Sequence, residues 1–476
     1  MIPVSQKMNW RGLRVIAASQ KLSEWVGGLR FGDLPEDVVT ATRLRIIDVI
    51  GLSIAGGQRP FGESVRRATA NLHPGTEARI WGAKARASMS GAAFANGALS
   101  QALEFDDTHN ESIVHMSSPA VAAALALGDR LRSGGRDAIL AVAIGNEISC
   151  RVGSLAPGQF HKRGFHPSGL FAPFGVSWLA AKMQSLDQRQ MICAAGITGS
   201  FAAGLIQCWV DGTQSKFLHP GWAAQSGIAA ATLAKAGVTG PGEVLEGRFG
   251  LYASHLQDSA VVPDWNRLTE ALGDEWESRN ASFKPFPAAH VIHPYISALL
   301  RLRERHGLSE ERISRIRCDV APYIVGIVCE PQDEKLHPLT DSHGRVSLQY
   351  TLAEALVRGR LGKDAYQPEF LRDEAILSLT RRVDYRVDET LPGPEQFKGV
   401  ISVELTDGTI LQEVEEHNRG SAENPMTTEE IVAKFRENVA GTLSADQTER
   451  LVDAALALDR FDDVSRFTEL TVTDHD

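Results

Sequence analysis

Apolar positions recur at helical spacing through the first 280 or so residues, and the texture then changes. Val15 to Trp25 and Pro35 to Ala55 carry apolar side chains three and four residues apart, and Asp48 to Gly56 reads as a buried helix ending at a glycine pair. Ser88 to Leu103, Pro119 to Leu131 and Asp137 to Val152 follow, the last apolar enough to be buried on most sides. Leu170 to Met183 and the Ala-rich Ala223 to Ala236 continue the series. Between them, Met191 to Val210 holds no charge over 20 residues, about the length of a bilayer crossing. It is rich in Ala, Gly, Ser and Thr and has no aromatic or basic anchors, so the spacing predicts a close-packed core helix.

Near Ser282 the pattern turns mixed. A short helix is expected to Arg305, then a strand over Ile313 to Val328, where residues alternate. Ser347 onward is helical again. Val383 to Val387 and Gly399 to Ile410 read as strands, the latter turning at Asp407-Gly408, a strong hairpin signal. Beyond Asn424-Pro425 amphipathic helices return, at Thr428 to Leu443 and Asp446 to Leu458. The fold class is therefore mostly α: a large all-helical domain from residues 1–280 plus 421–476, with a smaller α+β lid domain, 281–420, inserted. The first few residues look loose, every element before Ser282 is expected to be helical, and no internal repeat appears.

Composition narrows the function classes. The chain has 476 residues, 43% hydrophobic and 23% charged, as in ordinary soluble enzymes. A net charge of −10 argues against nucleic-acid or anionic-membrane partners. Five scattered cysteines form no C-x-x-C pair, and without a secretory leader they fit a reducing cytoplasm.

Against that background three polar islands stand out. The first is E-F-D-D-T-H-N-E-S-I-V-H-M-S-S-P, Glu104 to Pro119, between two apolar helices. It gathers Glu104, Asp106, Asp107, Thr108, His109 and His115, an acid–base cluster that is costly to bury unless paired or used. Asp, Thr and Ser also suit an ordinary turn and helix cap there. The second island, F-H-K-R-G-F-H-P-S-G from Phe160, places His166 before an apolar helix with Pro167 at its entry and Ser168 as a candidate cap. Either a solvated basic loop or an anion site fits it. In the third, D-G-T-Q-S-K-F-L-H-P-G-W from Asp211, Lys216 and His219 lie one helical turn apart. They read as a carboxylate-binding pair. The competing expectation pairs Lys216 structurally with Asp106 or Asp107.

Where the lid begins, F-K-P-F-P-A-A-H-V-I-H-P supplies Lys284, His290 and His293. Two histidines three apart suit one metal, yet no H-E-x-x-H motif or cysteine pair completes a ligand set, so no metal is expected. Neither a Gly-rich phosphate loop nor G-x-S-x-G appears, and no cofactor is expected. What remains is His, Lys and Asp/Glu chemistry on an anion.

In order along the chain, D-V-I-G, A-N-G-A-L-S-Q-A-L-E-F-D-D-T-H with its later His, F-H-P-S, D-G-T-Q-S-K-F-L-H-P-G-W and F-K-P-F-P-x-x-H-x-x-H-P resemble the MmgE/PrpD family, from about Asp48 to the end. That family includes 2-methylcitrate dehydratase, cis-aconitate decarboxylase and iminodisuccinate epimerase. The resemblance implies a helical domain and an α+β lid with the active site between them, usually in a homodimer. It carries functional roles to Glu104, Thr108, His115, His166, Lys216 and the Lys284 to His293 segment. The lid histidine of the decarboxylases falls at Ala289, beside His290.

These reactions all pass through carbanion or enolate character next to a carboxylate, and need an acid–base group near neutrality with cations to hold carboxylates. The expected catalytic residues are His115, His166, Lys216, Glu104 and Thr108. Asp106, His109, His219, Lys284, His290 and His293 are expected to bind substrate. The leading expectation is a cofactor-independent lyase on a small di- or tricarboxylate. An epimerase of an amino-dicarboxylate is the alternative, and a non-catalytic carboxylate binder a remote third.

Overall fold

The computed structural model describes residues 18–393 and 396–473. The opening residues read as loose, and Val15 to Ala17 of the first expected helix, lie outside the described residues; the helix is seen from Ala18 to Gly28.

Small and apolar side chains bury most of the surface of the central helices. Glu36–Gly57, Met89–Gln101, Ser117–Leu131, Gly135–Gly153, Pro167–Met183 and His219–Lys235 pack into one core. Glycine permits a close crossing that matters for the site. A Cβ on Gly221 would lie 2.3 Å from the carbonyl oxygen of Phe94, and one on Gly97 3.0 Å from the Cα of Gly221. Helices Met89–Gln101 and His219–Lys235 thus touch backbone to backbone, and added bulk there would force them apart, typically at about 1–3 kcal/mol. This fixes the two elements that carry the first and third polar islands.

The same core takes in Val432, Phe435 and Val439 of helix Thr428–Val439 and Leu451 of helix Ala445–Leu456. A second core runs from Ala288 to Leu405. It sits on a four-stranded sheet with strands β1 (Ile313–Val320), β2 (Val383–Val387), β3 (Gly399–Leu405) and β4 (Ile410–Glu415) in the order β2-β1-β3-β4. The β1–β2 pair is parallel, with Cys318 opposite Tyr385; the others are antiparallel, with Cys318 opposite Ile401 and Val403 opposite Leu411. Alternation puts Ile316, Cys318 and Val320 inward, beneath helices His293–His306 and Leu348–Arg358. The molecule is mostly α, with this α+β layer inserted between two stretches of the helical layer.

Three expectations need correction. The charge-free stretch is not one helix: a helix spans Gln188–Thr198, irregular chain follows, and a short helix covers Gln207–Asp211. The irregular part is put to use, because the carbonyl of Gly204 accepts the His166 N–H (3.0 Å) and that of Gly169 accepts the Ala203 N–H (3.1 Å). The strand expected to Val328 stops at Val320; Pro322, which has no N–H for a ladder, opens a short helix that runs into a π-turn at Val325–Cys329. Finally, not every early element is helical. Ala78–Arg79 pairs with Arg86–Ala87, and Thr108–His109 pairs antiparallel with Ala281–Ser282. This second pair brings the first polar island against the point where the chain leaves the helical layer. Among the described residues no helix is long and apolar enough to cross a membrane.

Candidate active site

The first island follows the C-terminal end of helix Met89–Gln101, where the chain turns sharply and Glu104 adopts a positive φ of 52°. Such a backbone is unfavourable for a side chain other than Gly, Asn or Asp and persists where its surroundings enforce it. Here three buried cations hold three successive carbonyls. Arg345 donates to the carbonyl of Leu103 (2.7 Å), Lys284 to that of Glu104 (3.1 Å) and Lys434 to that of Phe105 (2.8 Å). Arg45 and the Ser117 hydroxyl then fix the Asp107 carboxylate, at 3.0 and 2.6 Å.

The loop walls a cavity of about 640 Å³. Its polar lining includes Glu104, Thr108, His115, His166, Lys216 and Lys284, with His161 and His290 beside them. Lys216, in a 3-10 turn (Ser215–Leu218) rather than a helix shared with His219, forms a buried ion pair with Glu104 and lies 5.3 Å over the ring of Trp209. The expected structural pairing with Asp106 or Asp107 is therefore replaced by one with Glu104. Lys284 approaches the other Glu104 oxygen at 3.9 Å.

His115 is oriented from behind. Its Nδ1 sits 3.1 Å from Asp106 Oδ1 and 3.4 Å from the Thr108 hydroxyl, leaving Nε2 for whatever enters the cavity. The His115 N–H donates to Ser168 Oγ at 2.9 Å. That is the work of Ser168, not the expected helix cap; His166 occupies the N-cap position and Pro167 the first turn. The other Asp106 oxygen accepts from Ser118 Oγ at 2.8 Å. His166 stands next to His115 with ring centres 5.7 Å apart, and its Nδ1 meets His219 Nδ1 at 2.8 Å. One of those two nitrogens must carry the hydrogen and the other accept it.

Not every expected substrate contact faces the cavity. Asp106 backs His115, and His219 backs His166. His109 is turned away, bonded to Ser112 Oγ at 2.8 Å and 3.5 Å from Glu277. His293 lies behind His290 and meets the carbonyl of Ala288 at 3.1 Å. His290, on the cavity, is held by Asn418 Nδ2 at 2.9 Å. No group of three or more His, Cys, Asp or Glu side chains among the described residues is placed to share a metal ion. Lys434, Arg45, Arg345, Trp209 and Asn418 take part without having been singled out in the sequence.

The charges are arranged against their ordinary preferences. Burial pushes the Glu104 carboxyl up, but Lys216, Lys284 and His115 outweigh it and hold it below its usual value. Burial likewise opposes ionised Asp106, and its contacts with His115 outweigh it. Burial drives the Lys284 ammonium down to about 8, with Glu104 and Asp106 resisting. Burial and the nearby Lys216 push His161 and His219 to about 4, and burial leads the same shift in His166, His290 and His293.

Those histidines make a stability prediction. Their folded-state values lie below the unfolded one, so the stability tied to their neutral form is present at pH 7 and is lost as pH falls from about 6.5 toward 4. His161 and His219 alone should each remove about 2 kcal/mol between pH 7 and pH 5. Urea unfolding at the two pH values measures the fall, and His161→Gln should lessen it. An unchanged stability from pH 7 to 5 would mean these rings are not held neutral.

Fold and cavity together define a mostly helical protein with an inserted α+β layer, whose cavity brings imidazoles beside buried ammonium groups. The chain belongs to the MmgE/PrpD family: the family's N-terminal domain matches residues 20–263 and its C-terminal domain residues 286–460. Among curated relatives, the cis-aconitate decarboxylase-like protein oryM of Aspergillus oryzae is 26% identical, covering 94% of this chain and 96% of its own length. Cis-aconitate decarboxylase of Aspergillus terreus is 25% identical, over 95% of each chain. The human cis-aconitate decarboxylase is 26% identical, over 94% of this chain and 92% of its own.

Proposed function

We propose that this protein is a cofactor-independent lyase that decarboxylates an unsaturated polycarboxylate with the cis-aconitate skeleton. One observation carries the reading: Lys216 and Lys284 converge on Glu104 in the wall of a cavity that His115 and His166 also line. Two buried ammonium groups share one carboxylate there, so an incoming dianion meets a surplus of positive charge with little water to compete. Lys216 and Lys284 hold the carboxylates that stay. The C–C bond to the departing carboxylate breaks, its electron pair moves through the adjacent double bond, and the distal carbon takes a proton as carbon dioxide leaves. His115 supplies that proton, with Asp106 holding Nδ1 so that Nε2 faces the substrate.

The placement of the rings supports a lyase over an epimerase. Epimerisation needs acid–base groups on opposite faces of one carbon, whereas His115 and His166 stand side by side, 5.7 Å apart between ring centres.

Product analysis on cis-aconitate, citrate, 2-methylcitrate and iminodisuccinate tests the proposal. Carbon dioxide with an unsaturated diacid from cis-aconitate is the expected result. Loss of water without carbon dioxide makes the enzyme a dehydratase, solvent deuterium in an unchanged skeleton makes it an epimerase, and no turnover at all defeats the catalytic reading. Activity is also expected to survive exhaustive chelation. A loss restored by one added metal would overturn the cofactor-free mechanism.

A further inference from the structure

The cavity is too large and too apolar for a bare tricarboxylate. A six-carbon tricarboxylate fills roughly the space of five waters, about 150 Å³ at about 30 Å³ per water. The cavity offers about 640 Å³. The α+β layer lines the cavity chiefly with Val291, Tyr323, Ile327, Val346 and Phe397. Apart from Lys284 and His290, both near the crossing point, the ionisable groups of the lining come from the helical layer. One layer therefore carries most of the charge and the other most of the hydrocarbon. Within the α+β layer the hydrocarbon wall meets its own ionisable group where the Phe397 ring stands edge-on to His290, centres 5.1 Å apart.

Two backbone features maintain this apolar wall at a cost. The π-turn Val325–Cys329 sets Ile327 in the lining, and π-turns are rare and concentrated at functional sites. Across the cavity Ile113 holds a φ of +57°, a conformation strongly disfavoured for a β-branched residue. Any glycine would relieve that strain, yet an isoleucyl side chain is presented instead.

We propose that the physiological substrate is an alkyl-substituted polycarboxylate, its carboxylates on Lys216 and Lys284 and a chain of several methylenes against Ile113, Ile327 and Phe397. The proposal rests on the lyase reading for the position of the carboxylate head. It adds that selectivity is set by hydrocarbon length.

Unreactive probes separate the two ideas. Calorimetry on the full chain with succinate and its methyl-, butyl-, hexyl- and octyl-substituted homologues should show affinity rising about fourfold per methylene over the shorter chains, the value expected for burying each group, and then levelling off. Lys216→Met should weaken every member. Ile327→Asn should flatten the series, so that the butyl and hexyl probes bind that variant only slightly better than succinate does. Its melting temperature reports folding, and Ile327→Ala replaces it if it does not fold. Ile113→Gly should also flatten the series while keeping or raising the melting temperature, since it removes the strained φ.

Equal binding of succinate and all its homologues would leave the head site standing and overturn the alkyl pocket. A chain-length gain undiminished in both wall variants would mark nonspecific partitioning and overturn it too. Failure of every probe to bind, with Lys216→Met indistinguishable from the parent, would remove the carboxylate site and the inference with it.

Discussion

Lys216→Met is expected to lower turnover by about a thousandfold or more and to destabilise the fold as well. Two buried ammonium groups serve one carboxylate, and Lys216 is the closer partner of Glu104. Removing its charge takes away an expected substrate anchor that water, largely excluded from this buried position, cannot replace. Loss of a charged contact worth about 4 kcal/mol in the transition state corresponds to about a thousandfold. The same change leaves Glu104 buried with only Lys284, 3.9 Å away. Breaking a buried pair costs about 3–5 kcal/mol when nothing compensates, and Lys284 returns part of it. The double variant Glu104→Gln with Lys216→Met should regain the lost melting temperature and none of the turnover. Kinetics and melting curves on the three proteins decide the matter. Wild-type turnover in the single variant would eliminate Lys216 as an anchor.

The second large effect is expected at Asp106. It touches no cavity surface and acts through His115, so Asp106→Asn should lower kcat by about a hundredfold to ten-thousandfold, the range for impaired general acid–base catalysis, while KM changes only a few-fold. The amide keeps the shape and the contact to Ser118 but not the negative charge that faces Nδ1. It also presents an N–H or a neutral oxygen to Nδ1, so the ring's tautomer is no longer enforced. Asp106→Glu should recover part of the loss if its carboxylate reaches Nδ1. A kcat within a few-fold of the parent in folded Asp106→Asn protein would show that His115 needs no partner.

Local patterns made much of this visible in the sequence. The change near Ser282 marks where the chain leaves the helical layer, and Asp407-Gly408 is the β3–β4 hairpin. Each polar island contributes to the cavity because a charge between two wholly apolar helices has few other places to go. The less legible features depend on distant partners. Lys434 sits on an amphipathic helix like any surface lysine, and its partner Asp48 is 386 residues away. Arg345 and Leu103 are 242 apart. Spacing along the chain likewise placed His219 and His293 near the site without saying which ring would face the cavity. The break after Thr198 was hidden because small uncharged residues suit a tight loop as well as a close-packed helix.

The return of the chain to the helical layer has a consequence for synthesis. Phe435 fills the space over Gly51, where an added Cβ would lie 2.7 Å from its ring, and Lys434 holds both Asp48 and the carbonyl of Phe105. A growing chain therefore emerges with its first helices lacking their last covering piece, and the whole α+β layer is made before that piece appears. Contacts of such long sequence separation form late and leave apolar surface open meanwhile. The loop that carries Glu104 and Asp106 gains its third carbonyl clamp only when Lys434 arrives. A nascent chain short of that residue holds nearly all of the cavity's polar side chains and lacks the support that sets them.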